Sequence, residues 1–423
     1  MSKATRYAII GNSAAGLAAA RAIRVRDREG RVTLFSDEPF PFYSRLLLTY
    51  FLKGTISRER LLGQGEDFGA GRAFEVKLNT RVEAILPAEG KIVFSAGGSF
   101  SFDRLLAAAG SSPVVPSIPG SKLPGVFPLR TLRQAEEIGG RIKRGGEAVI
   151  LGGGLVGLQT AQALNVRGMK ATLIVSSERL LSRNLDGKGS DLLLQEAKDL
   201  GIKIFLRKDA VEIGRGPGET LRVVLRGGEV LKADLAILAK GVEPRIELLK
   251  EAGAAVREGV LVDNRLRTSR ENIFAAGDAA QMAPVPGRVG EIFPIWPHAV
   301  EQGGIAGLNM AGLDVTFQGG TPMNITELFG IKIASIGRIK NDGSFKEAID
   351  YRPGEKIYRK IVFREEVIAG ALLMGDVGDC GILQRLIRSR RPVGRILPRI
   401  LNHGAGVTQT IQEGRGAGSS LLF

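Results

Sequence analysis

The stretch "YAIIGNSAAGLAAARAIR", from Tyr7 to Arg24, decides the fold of this chain. Its apolar start predicts a short buried strand, Gly11–Gly16 forms a loop bounded by glycines, and an alanine-rich helix follows to about Asp27. Gly30 is expected to end that helix, and "VTLF" (Val32–Phe35) predicts the next strand. The pattern therefore predicts a strand–helix–strand unit.

A second copy of this unit lies in "AVILGGGLVGLQTAQALNVRG", which begins at Ala148. Gly152–Gly157 is its loop, a helix runs to about Arg167 and is ended by Gly168, and "ATLIV" (Ala171–Val175) predicts the second strand. In such loops the first glycine makes the tight turn, the second lets a pyrophosphate approach the backbone, and the third lets the helix pack on the strand. The N–H groups that begin the helix attract phosphates. Two copies in this context predict two dinucleotide sites.

The first loop departs from the glycine rule at Ser13, whose small hydroxyl can donate to a phosphate oxygen. One alternative is that Gly11–Gly16 is only a tight turn between a strand and a helix. Another is a secretory signal peptide, with Lys3 and Arg6 before an apolar stretch. Asn12 and its neighbours interrupt that stretch after a few residues, which argues against a signal peptide.

The end of the second strand indicates which nucleotide each unit takes, because an acidic residue there holds the ribose hydroxyls. In the first unit Asp37 or Glu38 can do this. In the second unit Val175 stands where an acid is expected. The residues that follow could bind either nucleotide: Ser176, Ser177 and Arg179 could bind the 2′-phosphate of NADPH, and Glu178 could bind the ribose of NADH. The sequence leaves NADH and NADPH open.

The most informative feature of the composition is its excess of positive charge. The 423 residues include 59 Lys and Arg against 44 Asp and Glu, a formal net charge of +15. A basic protein attracts acidic partners, so an acidic electron carrier, nucleic acid or an anionic membrane surface are candidates, and solubility alone is the simpler alternative. Aromatic residues make up only 6%, which argues against a nucleic-acid platform.

Cysteine and histidine are scarce. The single cysteine, Cys380, excludes an intramolecular disulfide and a CxxC pair, and we interpret it as a buried small apolar residue. The two histidines, His298 and His403, argue against a histidine metal site, so no metal is expected. No apolar run of about 18 residues is present, and we expect a cytoplasmic protein without a membrane span.

Three further motifs carry a family resemblance. "LLAAAGSSP" (Leu105–Pro113) resembles the strand end at which the chain leaves a flavin domain. "ADLAILAKGVEPRIELL" (Ala233–Leu249) resembles the strand that returns from an inserted nicotinamide domain. "TSRENIFAAGDAAQ" (Thr268–Gln281) resembles the final flavin motif. To about Ile336 the chain resembles the pyridine nucleotide–disulfide oxidoreductase superfamily. The branch of NADH:rubredoxin reductases and of the flavin module of NAD(P)H nitrite reductases is indicated by "DEPFPFYSRLLLTYFLKG" (Asp37–Gly54) and "IWPHAVEQGGIAGLNMAG" (Ile295–Gly312).

The resemblance implies an FAD-dependent NAD(P)H:acceptor oxidoreductase. Hydride would pass from a nicotinamide stacked on the isoalloxazine to FAD, and electrons would then pass to an acceptor, such as rubredoxin, ferredoxin or another acidic redox protein. Asp278 would bond a ribitol hydroxyl. The alternatives are the flavin subunit of a larger reductase complex, inactive alone with small acceptors, and, on charge alone, a nucleic-acid-binding flavoprotein.

Two departures from the family pattern narrow the chemistry. Where disulfide reductases and related oxidases place a redox cysteine, Phe42–Tyr50 has none, which excludes disulfide, CoA-disulfide and peroxide chemistry through a thiol. The segment resembles an Arg-x-x-Leu-x-Tyr version, in which Arg45 stabilises a reduced flavin or pairs with a phosphate. An ordinary surface arginine is the alternative. Gln159 replaces a glutamate that relatives often carry near the nicotinamide.

The predicted site follows from the loops and the resemblance. No catalytic residue besides the flavin is assigned with certainty, and Arg45, Tyr50 and Gln159 are expected near the flavin or nicotinamide. The predicted cofactor-binding residues are Gly11, Ser13, Ala14, Gly16, Asp37, Glu38, Arg45, Val82, Ala109, Gly110, Gly277, Asp278, His298, Gly152, Gly154, Leu155, Val156, Gly157, Ser176, Arg179 and Gly241.

The predicted fold class is α/β, with two Rossmann-like three-layer domains and a small C-terminal α/β domain. We expect an FAD domain over 1–116 and 243–314, an NAD(P) domain inserted at 117–242 after the Pro/Gly-rich crossing Pro116–Gly125, and a C-terminal interface domain over 315–423, through which a homo-oligomer could form. "KIYRKIVFREEVIAGALLMG" (Lys356–Gly375) predicts two strands around a polar turn.

The arginine-rich segment Ile382–Leu401 has two interpretations. Apolar residues at helical spacing, Ile382, Leu383, Leu386 and Ile387, alternate with Arg385, Arg388, Arg390, Arg391, Arg395 and Arg399. The segment is either a dock for an acidic partner or membrane, or a helix packed on its own domain with a solvated basic face, which we favour. The end, 414–423, has the composition of a flexible tail.

Overall fold

A computed structural model describes residues 4–67, 74–283, 290–394, 398 and 400. Arg395, Arg399, His403 and the tail 414–423 lie outside the described residues. The chain divides into two compact units: 1–114, 130–137 and 241–320 form the first, and 115–129, 138–240 and 321–423 form the second. Among the described residues, no helix has the length and apolar character that a membrane span requires.

Within the described residues the strands are β1 (Arg6–Ile10), β2 (Arg31–Phe35), β3 (Glu75–Lys77), β4 (Val82–Leu86), β5 (Lys91–Phe94), β6 (Ser99–Ser101), β7 (Arg104–Ala107), β8 (Ser111–Pro113), β9 (Val126–Pro128), β10 (Glu147–Leu151), β11 (Lys170–Val175), β12 (Lys203–Leu206), β13 (Ala210–Arg215), β14 (Leu221–Leu225), β15 (Val230–Ala233), β16 (Leu235–Leu238), β17 (Val242–Pro244), β18 (Val260–Val262), β19 (Ile273–Ala275), β20 (Ala280–Met282), β21 (Met323–Leu328), β22 (Ile331–Gly337), β23 (Lys346–Arg352), β24 (Ile357–Arg364) and β25 (Val367–Met374). The α-helices described are α1 (Ala14–Arg26), α2 (Leu48–Lys53), α3 (Arg58–Asp67), α4 (Leu132–Gly139), α5 (Leu155–Val166), α6 (Gly187–Asp199), α7 (Glu247–Glu251), α8 (Trp296–Met310) and α9 (Cys380–Ser389).

The first unit is built on a parallel sheet with the order β19-β7-β1-β2-β3. Helix α1 packs closely against α8, because small residues face each other. A Cβ at Gly303 would lie 2.1 Å from the carbonyl oxygen of Ala15, and one at Gly307 would lie 2.4 Å from that of Ala19. These glycines let the two helix backbones approach, which fixes α1 and the loop before it over the sheet.

The second unit repeats this plan with the parallel order β12-β11-β10-β16-β9. From the central strand, β1 or β10, the chain adds strands to one side and then returns to the other side, where the second sheet already has β9 at its edge. The switch points lie between β1 and β7 and between β10 and β16. Ligands of open α/β sheets bind at such points, outside the carboxyl ends of the strands.

Residues 321–374 form an antiparallel sheet with the order β21-β22-β25-β24-β23. Strands β24 and β25 confirm the two strands predicted around a polar turn, with Arg364 paired to Val367. Helix α9 confirms the predicted helical spacing. Its Leu383 and Ile387 are buried against this sheet, whereas Arg385 and Arg388 are exposed, as expected for a helix packed on its own domain.

Two predictions need correction. Gly30 does not end α1, since the helix ends at Arg26 with Asp27 as its C-cap. Gly30 donates its N–H to the carboxylate of Asp27, three residues earlier, and a Cβ at Gly30 would clash with the Tyr7 ring. Cys380 is only half-buried at the start of α9, rather than buried. The predicted domain division stays a prediction; the compact units differ from it in that 130–137 belongs to the first unit.

Candidate dinucleotide sites

The two glycine loops have the same backbone geometry. In the first unit Gly11 donates its N–H to the carbonyl of Phe35 at 2.9 Å, and in the second Gly152 donates to Ile174 at 2.9 Å. Both glycines have a positive φ, of 113° and 136°, which side chains rarely adopt. This register makes Gly152 the counterpart of Gly11, as the sequence predicted.

The first and third glycines of each loop are required by close packing. A Cβ at Gly11 would lie 2.2 Å from the carbonyl oxygen of Ala108, and one at Gly16 would lie 1.9 Å from that of Gly11. The same distances in the second loop are 2.1 Å for Gly152 and 2.1 Å for Gly157. No real Cβ approaches an oxygen so closely, so these positions exclude every other residue without a backbone shift.

The second glycine position is open in both loops. Gly154 begins α5 as its N-cap, and a Cβ there would meet no heavy atom within 4 Å. Ser13 occupies the same place before α1, with an extended backbone and no side-chain hydrogen bond to its own helix. Ala14 follows Ser13 as Leu155 and Val156 follow Gly154, each in the first turn of a helix. The departure at Ser13 therefore costs the fold nothing.

A network of charged and hydroxyl groups lies beside the first loop. Glu38 accepts from the Tyr43 hydroxyl at 2.5 Å and from the Arg45 guanidinium at 2.5 Å. Tyr43 also accepts from the backbone N–H of Leu132 at 3.0 Å. Burial raises the pKa of the Tyr43 hydroxyl, and the Glu38 carboxylate adds to this, so Tyr43 stays protonated.

Arg130 joins this network to the predicted ribitol ligand. Its guanidinium donates to Asp278 at 2.7 Å and to Ser111 at 2.8 Å, and its carbonyl accepts from Arg45 at 2.8 Å. Burial lowers the pKa of Arg130, and Asp278 partly offsets that effect. Sequence reasoning missed Arg130, Ser111 and Tyr43, because no motif marks "PLRT" and only the fold returns 130–137 to the first unit.

These contacts refine the predicted roles of two residues. Arg45 is not an ordinary surface arginine: burial lowers its pKa, but the charge and hydrogen bond of the Glu38 carboxylate oppose this, so its pKa lies above the ordinary value. Glu38 has both carboxylate oxygens engaged within the network. Asp37 is more exposed and pairs only loosely with Arg245, at 3.4 Å, so it is the better candidate for a ribose.

The remaining predicted residues of the first unit are spread around its strand ends. Gly277 and Asp278 follow β19, and the Gly277 N–H donates to the buried Gln302 of α8 at 2.8 Å. The others lie in turns, in the core or on helices: Ala109 and Gly110 between β7 and β8, Gly241 before β17, Val82 buried at the start of β4, Tyr50 partly exposed on α2, and His298 on α8 with its ring edge-on to Phe293 and Phe317.

In the second unit, the predicted nucleotide residues lie at the carboxyl ends of β10 and β11. Ser176 is exposed directly after β11, and the Arg179 guanidinium pairs with Glu178 at 3.2 Å. On α5, the Gln159 side-chain amide donates to the Thr326 hydroxyl of β21 at 3.1 Å. The Gln159 amide is thus oriented by the C-terminal sheet, which the sequence did not predict.

Each site fits a dinucleotide on its own geometry. The open space over Gly154 leaves room for a ligand against the α5 N–H groups. In the first unit two buried polar atoms have no hydrogen-bond partner among the described residues, Asn12 Oδ1 and Arg130 Nε. Buried polar atoms are normally paired, so both indicate a polar ligand here. Fold and site together define a protein with two dinucleotide-binding units.

The chain belongs to the pyridine nucleotide-disulphide oxidoreductase family, whose model matches residues 5–303. Residues 322–391 match the rubredoxin NAD+ reductase C-terminal domain. It is therefore an NAD(P)H-dependent flavin oxidoreductase that uses FAD, as the sequence predicted. The predicted fold class, with its parallel sheets and smaller C-terminal region, is confirmed.

Similar proteins fall into two groups by length. The chain is 30% identical over 414 residues to the epsilon subunit of NADH-dependent phenylglyoxylate dehydrogenase of Aromatoleum evansii, covering 97% of both chains. It is 29% identical to the assimilatory nitrate reductase electron transfer subunit of Bacillus subtilis, covering 92% of this chain and 49% of that one. The fold is similar to that of the covalent putidaredoxin reductase–putidaredoxin complex, with a TM-score of 0.88, 22% identity, and coverage of 98% and 100%.

Proposed function

We propose that this flavoprotein passes electrons from NAD(P)H to a separate one-electron redox protein. The observation that carries the proposal is the segment Tyr43–Tyr50, which holds no cysteine and instead ties Tyr43 and Arg45 into the network around Asp278. The sole cysteine of the chain, Cys380, belongs to α9 of the second unit. Because the segment where related disulfide reductases place a redox cysteine holds no thiol, the acceptor is a separate molecule.

The partner is expected to be acidic. The net charge of +15 attracts negatively charged proteins and accelerates their encounter with this chain. The C-terminal match to a rubredoxin reductase domain and the likeness to a reductase bound to putidaredoxin support a small redox protein such as a rubredoxin or a ferredoxin. The predicted domain division, the cytoplasmic location and a homo-oligomer through the C-terminal domain stay predictions.

The chain's own residues would bind and orient the two cofactors. The first-turn N–H groups of α1 would receive the pyrophosphate of FAD, and Asp278 would accept from a ribitol hydroxyl while the Arg130 guanidinium fixes its position. The corresponding N–H groups of α5 would receive the pyrophosphate of NAD(P)H. Bound FAD supplies the chemistry that converts a two-electron donor into single electrons. No proton-transferring dyad is required, because the protein positions the cofactors and sets their electrostatics.

The test is an anaerobic spectral titration of the purified, flavin-loaded protein with NADH and then NADPH, followed by rapid mixing with oxidised rubredoxin or ferredoxin. We expect nucleotide to bleach the flavin and the acidic protein to restore its colour. The rate of restoration should fall at least about tenfold between low and high salt, because salt screens the charges that bring the partners together.

The variant Cys380→Ser separates a thiol route from the proposed one. We expect it to reduce the redox protein as fast as the parent does. Loss of that rate, or turnover of disulfides by the parent that Cys380→Ser abolishes, would contradict the proposal. A rate that does not respond to salt would contradict the acidic partner.

A second function, the flavin subunit of a larger enzyme, is favoured by one observation. The relative that matches 97% of this chain along 97% of its own length is named a subunit of a dehydrogenase. Affinity purification of the full-length chain from its own cells distinguishes the two. A stoichiometric complex in which the flavin is reduced, together with a free chain that is inactive towards rubredoxin and ferredoxin, would establish the subunit role.

A further inference from the structure

The end of β11 lacks the carboxylate that selects NADH. Val175 is the counterpart of Ser36, since Gly152 bonds Ile174 as Gly11 bonds Phe35. Its side chain is 1% exposed, and it packs on Gly153, where a Cβ would lie 2.6 Å from Val175 Cγ1. By the same register Ser176 is the counterpart of Asp37, the ribose candidate of the first unit. An acidic residue at the end of the second strand accepts the ribose hydroxyls of NADH. Here that end holds a buried valine followed by an exposed serine, and neither carries a carboxylate.

The loop after β11 is instead flanked by two arginines. Arg179 comes from the loop itself, and Arg207 comes from the segment after β12, where its N–H donates to the carbonyl of Ser177 at 3.1 Å. This backbone contact brings in a cation about thirty positions along the chain, which the sequence did not reveal. Lys208 donates to the carbonyl of Val175 at 3.1 Å, which fixes the two segments side by side.

The acid next to Arg179, Glu178, is already paired with both arginines. Its oxygens lie 3.2 Å from the Arg179 guanidinium and 3.5 Å from that of Arg207. The pair of arginines therefore exceeds the carboxylate by one positive charge. Arg179 Nε is buried and has no hydrogen-bond partner among the described residues. Ser176 is exposed beside them and adds a hydroxyl donor.

We propose that this site prefers NADPH over NADH, with the 2′-phosphate held by Arg179 and Arg207 and by the Ser176 hydroxyl. The inference rests on the proposed function, in which this unit binds the electron donor. A 2′-phosphate carries about −1.5 to −2 charges at neutral pH and offers three strong acceptors. A guanidinium matches a phosphate with two parallel hydrogen bonds. The ribose of NADH would meet the serines without a free carboxylate.

The experiment is anaerobic stopped-flow reduction of the bound flavin by NADPH and by NADH, each over a range of concentrations. For the parent we expect the efficiency of reduction to be at least about tenfold higher with NADPH, since one charge-assisted interaction of about 1.4 kcal/mol is a factor of ten. The double variant Arg179→Ala/Arg207→Ala should move the NADPH/NADH ratio towards NADH by at least about tenfold. Higher salt should weaken NADPH more than NADH.

Two further variants sharpen the test. Ser176→Asp places a carboxylate at an exposed position, where it repels a phosphate and accepts from a ribose, so it should shift the ratio towards NADH, whereas Ser176→Asn should not reverse it. Arg215→Ala removes an exposed arginine from β13 of the same unit and should leave the ratio unchanged.

Different results overturn different claims. If the parent uses NADH as well as or better than NADPH, or if the double variant lowers both efficiencies equally, the phosphate site is wrong while the reductase function stands. If neither nucleotide reduces the bound flavin, the proposed function fails and the preference fails with it.

Discussion

The two glycine loops have the same backbone geometry and differ in the side chains at and around their middle positions. Both have the same hydrogen bond from the first glycine to the neighbouring strand, and both press the first and third glycines against carbonyl oxygens. They differ at the residue after the first glycine, which is Asn12 in the first loop and Gly153 in the second. Gly153 lies under the buried Val175, whereas the counterpart of Val175 in the first unit is the smaller Ser36.

The comparison separates positions that the fold dictates from positions that the ligand dictates. Backbone contacts fix the outer glycines in both loops, so the chain has no freedom there. The middle glycine has open space, and the chain uses Ser13 in one loop and Gly154 in the other. The residues at the end of the second strand differ most: the first unit has the acids Asp37 and Glu38, whereas the second unit has a valine and two serines and no acid at these positions.

The largest effect is expected from the third glycine. Gly16→Ala should destabilise the protein by about 2–4 kcal/mol and remove bound flavin, because its Cβ would lie 1.9 Å from a carbonyl oxygen. Gly157→Ala should leave the flavin bound but lower its reduction by NAD(P)H by about a hundredfold or more. Denaturant unfolding and flavin absorbance measure both.

A matched control is Gly63→Ala in α3, where a Cβ would meet nothing within 4 Å. It should be neutral or slightly stabilising. If Gly16→Ala kept its flavin and its stability like this control, the shared backbone geometry would not be a requirement of the fold.

Arg130→Ala should have the next largest effect. It removes the partner of the Asp278 carboxylate, and charged hydrogen bonds contribute about 1.5–3 kcal/mol, so flavin should bind about 10- to 100-fold more weakly. The control Arg133→Ala removes an exposed arginine of the following helix α4, which pairs with Glu137, and this variant should bind flavin like the parent. Equilibrium titration of the deflavinated variants measures the affinities. Equal affinities for Arg130→Ala and Arg133→Ala would remove Arg130 from the site.

Placing the first loop's residues in the second loop should lower the free energy of unfolding by a smaller amount, part of which a second substitution restores. Gly153→Asn places a side chain against Val175 and should destabilise the protein by about 1–2 kcal/mol. The double variant Gly153→Asn/Val175→Ser copies the first loop and should regain at least half of that loss, a coupling of about 0.5–1 kcal/mol. Chemical unfolding of the four proteins in this cycle gives the coupling. Strict additivity would show that the two positions do not compensate.

The smallest effect is expected at the middle glycine. Gly154→Ser copies Ser13 into open space, so stability should change by less than about 0.5 kcal/mol and the efficiency of flavin reduction by less than about threefold. Thermal unfolding and stopped-flow reduction check this. A large loss of stability would mean that the open position depends on glycine after all.

Local patterns predicted the fold well, because it is built from short-range signals. The two strand–loop–helix units, the Gly277–Asp278 strand end and α9 each follow from residues adjacent in sequence. The sites were predicted only where one loop forms them. Arg130 and Arg207 reach their places through chain returns that no spacing in the sequence indicates. The sequence predicts Asp37 or Glu38 as the ribose ligand and cannot choose between them, because the partners of Glu38 come together only in the folded chain.

The return of residues 130–137 to the first unit limits how this enzyme could be rearranged by recombination. The chain crosses between the units after residues 114, 129, 137, 240 and 320. A chimera that exchanged 117–242 as one cassette would carry away Arg130, which holds Asp278, and Leu132, whose N–H supports Tyr43. Only a two-piece graft of 115–129 and 138–240 would exchange this part of the second unit and leave the first unit, with Arg130 and Leu132, intact. Donor preference in this architecture is therefore easier to alter by point substitution than by shuffling whole modules.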